Sequence, residues 1–152
     1  MRNLEKIYLD TSVFSAFYDS KTPQRQEQTV QFWNKLSQYQ NFISTIVIDE
    51  INAVSDVALK QKLLALTQNH FQILAVTQDS EYLAKQYVQE GIFPLKYFDD
   101  ALHLATASIN QIDIVLSWNF AHFVKRKTRI LANLVNNKAG YRSVEIIAPP
   151  EL

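Results

Sequence analysis

Short runs of consecutive apolar residues alternate along this chain with longer stretches in which apolar residues return every three or four positions. The runs, at residues 6–10, 41–44, 71–76, 114–117 and 144–148, have the length of strands and lack the polar alternation of a half-solvated sheet, so they predict strands buried on both faces. The stretches between them, 24–39, 46–54, 56–67, 80–90 and 97–109, with another near 130–137, carry helical spacing. Thr45, Ser55 and Asp79 each stand before such a stretch and offer a side-chain oxygen as an N-cap. Strands alternating with helices predict an α/β fold with a parallel sheet of about five strands, covered on both faces. In open sheets of this kind ligands bind beyond the carboxyl ends of the strands, where the strand order reverses. Asp10, Ser44 and Ser117 occupy such ends.

Three acidic residues break the pattern. In "IYLDTS" an apolar run ends on Asp10, and Val13 and Phe14 resume the apolar character at once. In "TIVIDEINAV" Asp49 shares a polar face with Thr45 and Asn52, whereas Glu50 projects between Ile46 and Val54 on an apolar arc. In "YFDDALHLATASI" the residues Phe98, Leu102, Ala105 and Ile109 form a core stripe, and Asp99, His103 and Thr106 form a polar strip. Asp100 belongs to neither, for its neighbours one and two turns on are Leu104 and Ala107. One such acid reaches solvent or pairs with a base. Three of them together would cost several kcal/mol per ion in a domain stable by only about 5–15 kcal/mol. A hard divalent cation removes the conflict, and carboxylate oxygens with retained waters are the ligands that Mg²⁺ or Mn²⁺ prefers.

Composition narrows the setting. At 152 residues with 47% hydrophobic and 20% charged side chains the chain is expected to be one domain, residues 1–152. Fifteen basic residues balance fifteen acidic ones, so any nucleic-acid site is a local patch. Absence of cysteine excludes disulfides and thiolate metal sites, and the three histidines have no zinc-type spacing. No apolar run is long enough to span a membrane and no signal-peptide pattern opens the chain, so a cytoplasmic protein is expected.

The segments "YLDTSVFSAFYD", "ISTIVIDEI", "FDDALHLATA" and "VLSWNFAHF", in that order and spacing, resemble the PIN-domain family, and within it the toxin-like ribonucleases of the VapC type. The tail "LVNNKAGYRSVEIIAPPEL" is similar to the end of one bacterial PIN subgroup. The resemblance implies a three-layer α/β/α sandwich and an acidic pocket that binds Mg²⁺ or Mn²⁺ and cleaves RNA. Asp10, Glu50 and Asp100 match the family's first three acidic positions. Where the family commonly has a fourth acid, this chain has Asn119, an amide able to act as a metal or water ligand or as a turn residue. Ser12 and Ser117 are candidates for holding the carboxylates in place, Thr11 and Ser12 also for capping a following helix. His103 and His122 admit catalytic and structural roles alike, with Asp99 the expected partner of His103.

The run "KRKTR" supplies Lys125, Arg126, Lys127 and Arg129 as a candidate phosphate track beside the pocket, or as a solvated face. Trp118, Phe14, Phe17 and Tyr18 are aromatics for base stacking, for a partner helix or for the core. The resemblance further implies an antitoxin partner and a homodimer. Two competing readings stand beside the nuclease: a PIN-fold module that binds RNA or protein with weak or no catalysis because of Asn119, and a haloacid-dehalogenase-like phosphatase. The latter needs a second Asp where Ser12 stands.

Overall fold

The computed structural model describes residues 3–152. Five strands, β1 (Lys6–Leu9), β2 (Gln40–Ser44), β3 (Phe71–Leu74), β4 (Ile114–Leu116) and β5 (Glu145–Ile147), form one all-parallel sheet in the order β3-β2-β1-β4-β5. Seven helices cover it: α1 (Thr11–Phe17), α2 (Pro23–Trp33), α3 (Thr45–Asn52), α4 (Val57–Thr67), α5 (Gln78–Gln89), α6 (Phe98–Ile109) and α7 (Arg126–Lys138). Strand residues alternate in direction, so Ile7 and Leu9 of β1 join Ile43, Ile114 and Leu116 in a core beneath α1 to α4, while Tyr8 joins Phe42, Val115 and Ile146 beneath α5 to α7. This is the three-layer α/β/α arrangement that the alternating pattern and the resemblance imply.

The chain builds outward from β1 through β2 to β3, then returns to lay β4 on the other side of β1. The strand order therefore reverses between β1 and β4, where the Asp10 N–H donates to the Leu116 carbonyl at 3.2 Å. Residues just past these two strands flank the crevice in which such sheets place their ligands.

Several sequence expectations need correction. Asp10, not Thr11 or Ser12, is the N-cap of the helix that follows it, its carboxylate accepting from the Ser12 N–H, and the apolar resumption at Val13 and Phe14 belongs to that seven-residue helix, α1. The helix expected over 24–39 stops at Trp33 and gives way to a 3₁₀ turn, Leu36–Gln38. That expected near 130–137 begins at Arg126, because its first turn is a basic run without apolar periodicity. The N-caps are Ser44, Asp56 and Thr77, not Thr45, Ser55 and Asp79. In each case a neighbouring hydroxyl or carboxylate sits at the extended residue where the backbone turns into helix.

Helix α6 is buried over most of its circumference because α5 and α3 both pack on it. Of its supposed polar strip only Asp99 is exposed; His103 and Thr106 are buried. Leu104 and Ala107, beside Asp100, are fully buried, while Phe98, Leu102 and Ile109 are only partly so.

Candidate active site

Asp10 follows β1 and is 4% exposed. Its Oδ1 accepts from the Ser12 N–H at 3.1 Å and the Ser12 hydroxyl at 2.5 Å, and its Oδ2 from the Ser117 hydroxyl at 2.8 Å. Ser117 follows β4, so the two serines clamp the carboxylate across the strand reversal. Burial pushes the Asp10 carboxyl above its ordinary range and the charge of Asp100 adds to this, while the charge of His103 and the two serines oppose it without cancelling it.

Glu50 lies in the last turn of α3 and Asp100 in the first turn of α6. Both are half-buried. Glu50 Oε1 accepts from the Thr11 hydroxyl at 3.0 Å and from His103 Nε2 at 2.5 Å. Burial works to raise the Glu50 carboxyl, but the hydrogen bond and charge of His103, with Thr11, outweigh it and hold it below the usual range. Asp100 Oδ2 accepts from His122 Nδ1 at 2.7 Å. Here burial, together with the charge of Glu50, prevails over His122 and His103, and the carboxyl is raised. Asp49 and Asp99, the solvated members of the two acidic pairs, are exposed.

His103 does not pair with Asp99. Its buried ring lies between Glu50 and Tyr8, whose hydroxyl is 2.6 Å from Nδ1 and 2.7 Å from the Ser44 hydroxyl. Burial disfavours the imidazolium, yet Glu50 and the charges of Asp10 and Asp100 raise its pKa above the ordinary 6.5. When protonated, the ring donates from Nε2 to Glu50 and from Nδ1 to the Tyr8 hydroxyl, which then donates to Ser44. Sequence patterning missed this chain because Tyr8, Ser44, Glu50 and His103 lie on four different elements.

The sign of the His103 shift fixes a pH effect. A raised folded-state pKa contributes stability that is fully present below the unfolded value, near 6.5, and is lost as pH rises through the folded value. In EDTA, wild-type stability is expected to fall through this window, while His103→Gln, whose amide does not titrate, shows no such fall. Urea unfolding at pH 6 and pH 9 measures the difference.

Asn119 Oδ1 accepts from the His122 N–H at 2.9 Å, and the Asn119 N–H donates to Ser117 Oγ at 2.9 Å. The residue thus shapes the turn that carries His122 to Asp100. Tyr97 packs on the other side of the His122 ring, with centroids 4.3 Å apart. Lys125 and Arg129 are half-buried, and Arg126 and Lys127 are exposed. The Thr128 hydroxyl fastens their turn to the His122 carbonyl at 2.6 Å. Phe14 is buried and Trp118 nearly so, while Phe17 and Tyr18 are partly covered.

The donor chemistry suits a hard divalent cation: three electrostatically coupled carboxylates at the strand reversal, with Glu50 Oε2 and Asp100 Oδ1 accepting no hydrogen bond among the described residues. No group of three His, Cys, Asp or Glu side chains among these residues converges as a ready-made cage. The arrangement therefore fits an ion held by one or two carboxylates and several waters, the habit of Mg²⁺. Among the described residues no helix is long and apolar enough to cross a membrane.

The sequence matches the family model of the PIN domain over residues 7–122. No curated protein matches it. Among solved structures it is similar to FitAB bound to the IR36 DNA fragment, with 19% identity, 96% of each chain covered and a TM-score of 0.61. It is also similar to VapC20 of Mycobacterium tuberculosis, described as a sarcin–ricin loop cleaving toxin, with 17% identity, 91% of this chain and 98% of that one covered, and a TM-score of 0.58. A toxin–antitoxin complex from Klebsiella pneumoniae aligns with 20% identity over 79% of this chain and 92% of the other, with a TM-score of 0.59. At these identities the likeness is one of fold.

Proposed function

The chain belongs to the PIN domain family, and on that footing we propose that it is a Mg²⁺- or Mn²⁺-dependent endoribonuclease, the toxin of a toxin–antitoxin pair. One observation carries the proposal: acids from three distant segments, Asp10, Glu50 and Asp100, are coupled in a mostly buried site where the strand order reverses. Structural likeness to an RNA-cleaving toxin and to a toxin–antitoxin complex supports the same reading.

Asp10 and Asp100 would hold the ion, with Glu50 acting through water. Such an ion supplies positive charge at the phosphodiester oxygens and a more acidic attacking water. Ser12 and Ser117 hold the Asp10 carboxylate facing inward, and His122, held by Asn119, orients Asp100. Thr11 and His103 fix Glu50 so that Oε2 can orient the attacking water. Water as the nucleophile leaves the ribose 2′-OH out of the reaction, and the products carry a 5′-phosphate.

Incubating the protein with structured and unstructured RNAs in Mn²⁺, Mg²⁺ or EDTA, beside Asp100→Asn, tests this. Metal-dependent cleavage lost in the variant is expected. Cyclic-phosphate products would sink the mechanism, and RNA binding without cleavage in either metal would leave a PIN-fold binding module.

The basic turn at the start of α7 supports an RNA substrate. A helix begins at its positive end, where further cations are unfavourable and an anion is welcome; α7 opens on Arg126 and Lys127 and has no acid in its first turn. Alanine at both positions is expected to weaken binding alike across RNA sequences. It should also reduce the salt slope of log K by about 0.7 per lost single-strand phosphate contact, measured by filter binding at several salt concentrations.

A further inference from the structure

Next to the acidic site lies a surface that the hydrolytic machinery does not use. Phe120, one residue past Asn119, is 49% exposed, and Trp118 beneath it is 7% exposed. Their ring centroids are 6.2 Å apart in an edge-to-face pair. The Arg25 guanidinium of α2 lies over both rings, 5.0 Å from the Trp118 centroid and 5.8 Å from that of Phe120. Among the described residues Arg25 takes part in no ion pair.

The platform is locked in place. Trp118 Nε1 donates to the buried Thr29 hydroxyl at 2.9 Å, and that hydroxyl donates to the Arg25 carbonyl at 2.7 Å. The Trp118 N–H donates to Ser12 Oγ at 2.9 Å, the same hydroxyl that holds Asp10. A displacement of the platform would therefore disturb the acid clamp, and its position relative to Asp10 is fixed.

Two depressions flank Arg25 and share Trp118 as a wall. One, of about 390 Å³, reaches Ser12 and Asn119 at the acidic site; the other, of about 520 Å³, runs away from it past Pro23 and Gln28. Both fall within the size range of small-ligand sites, roughly 300–1,000 Å³. Asp19 borders the first, but its carboxylate is engaged by the Lys21 N–H and the Thr22 hydroxyl. Among the described residues Arg25 is the one basic side chain lining either depression.

An exposed aromatic face with an unpaired guanidinium beside it matches the alternation of base and phosphate in a single nucleic-acid strand. Resting on the nuclease reading, we propose that Phe120 and Arg25 form a nucleotide subsite: an unstacked base of single-stranded RNA lies on Phe120, and Arg25 binds the phosphate beside it. Stacking tolerates any base, so the subsite sets where the strand lies rather than its sequence. A protein partner fits less well. Besides Trp118, only Pro23 and Ala16 among the described residues are apolar in the lining of the two depressions, and the Arg25 guanidinium is complementary to phosphate.

The test uses single-stranded oligoribonucleotides with 2-aminopurine at successive positions, titrated into the full chain in EDTA. Fluorescence quenching is expected, shared among the labelled positions that reach the ring because the subsite does not read sequence. Phe120→Ala should abolish that quenching and weaken binding roughly 5- to 150-fold, while Phe120→Trp restores both. Arg25→Ala should weaken binding of every oligonucleotide and lower its salt dependence. Phe120 is half-exposed, so its substitution leaves the fold intact, which the circular dichroism melt checks. Unchanged quenching in Phe120→Ala overturns the proposal. If wild type cleaves RNA and Phe120→Ala binds normally, the subsite falls and the nuclease stands. If wild type never cleaves yet binding depends on Phe120 and Arg25, the nuclease falls and the subsite stands.

Discussion

Asp10→Asn is expected to raise the thermal unfolding midpoint of the metal-free protein while reducing RNA cleavage by more than about 100-fold. The two effects have opposite signs because one carboxylate serves two states. Without a cation, Asp10 is a buried charge whose carboxyl is pushed up by burial and by Asp100, so ionisation costs stability as pH rises above the ordinary 3.8. Asparagine removes the charge and keeps an acceptor for the Ser12 N–H, for it is as good an N-cap as aspartate. It also loses the charge that a cation requires. Even loss of a residue that only supports a ligand typically costs 10- to 100-fold, and Asp10 is proposed as a ligand itself. Melting curves in EDTA and in Mn²⁺, alongside RNA cleavage, measure all three quantities. Wild type should gain stability from Mn²⁺ and the variant should not. A lower midpoint for the variant in EDTA would mean that the serine clamp more than offsets the burial of the charge.

His103→Ala is expected to be the most destabilising substitution in the site, on the order of 3 kcal/mol, since it removes a fully buried ring from the core. The side chain of His103 is 2% exposed and that of Glu50 35%. Removing the imidazole opens a cavity against Tyr8 and Phe123 and leaves the fully buried Tyr8 hydroxyl with Ser44 alone. Glu50→Gln costs much less, because Glu50 reaches water and glutamine still accepts from His103. In urea the alanine variant should unfold at a midpoint lower by about 1–2 M, taking a slope of about 2 kcal/mol per M. Equal midpoints for the two variants would show that the buried ring carries little of the stability.

The strands and most helices were legible because apolar runs buried on two faces and helical periodicity are local properties of a sequence. The anomalous acids were legible for the same reason: Asp10 ends an apolar run, and Glu50 and Asp100 interrupt apolar arcs, whereas their neighbours Asp49 and Asp99 do not. The extent of helix α1 and the first turn of α7 were hidden. One is too short for a period, and the other is written in Lys and Arg. His103 was misassigned because helical projection assumes one wet face, and α6 has almost none.

By itself the sequence determined the alternating α/β order, the parallel sheet and which three acids interrupt the apolar pattern, all set by hydrophobic patterning within a few turns of chain. Only the tertiary structure decided the partners: Ser117 on Asp10, His103 on Glu50, His122 on Asp100, and Arg25 over Trp118 and Phe120. These contacts join residues 22 to 107 positions apart. No local pattern encodes them, because the order of strands in the sheet brings them together.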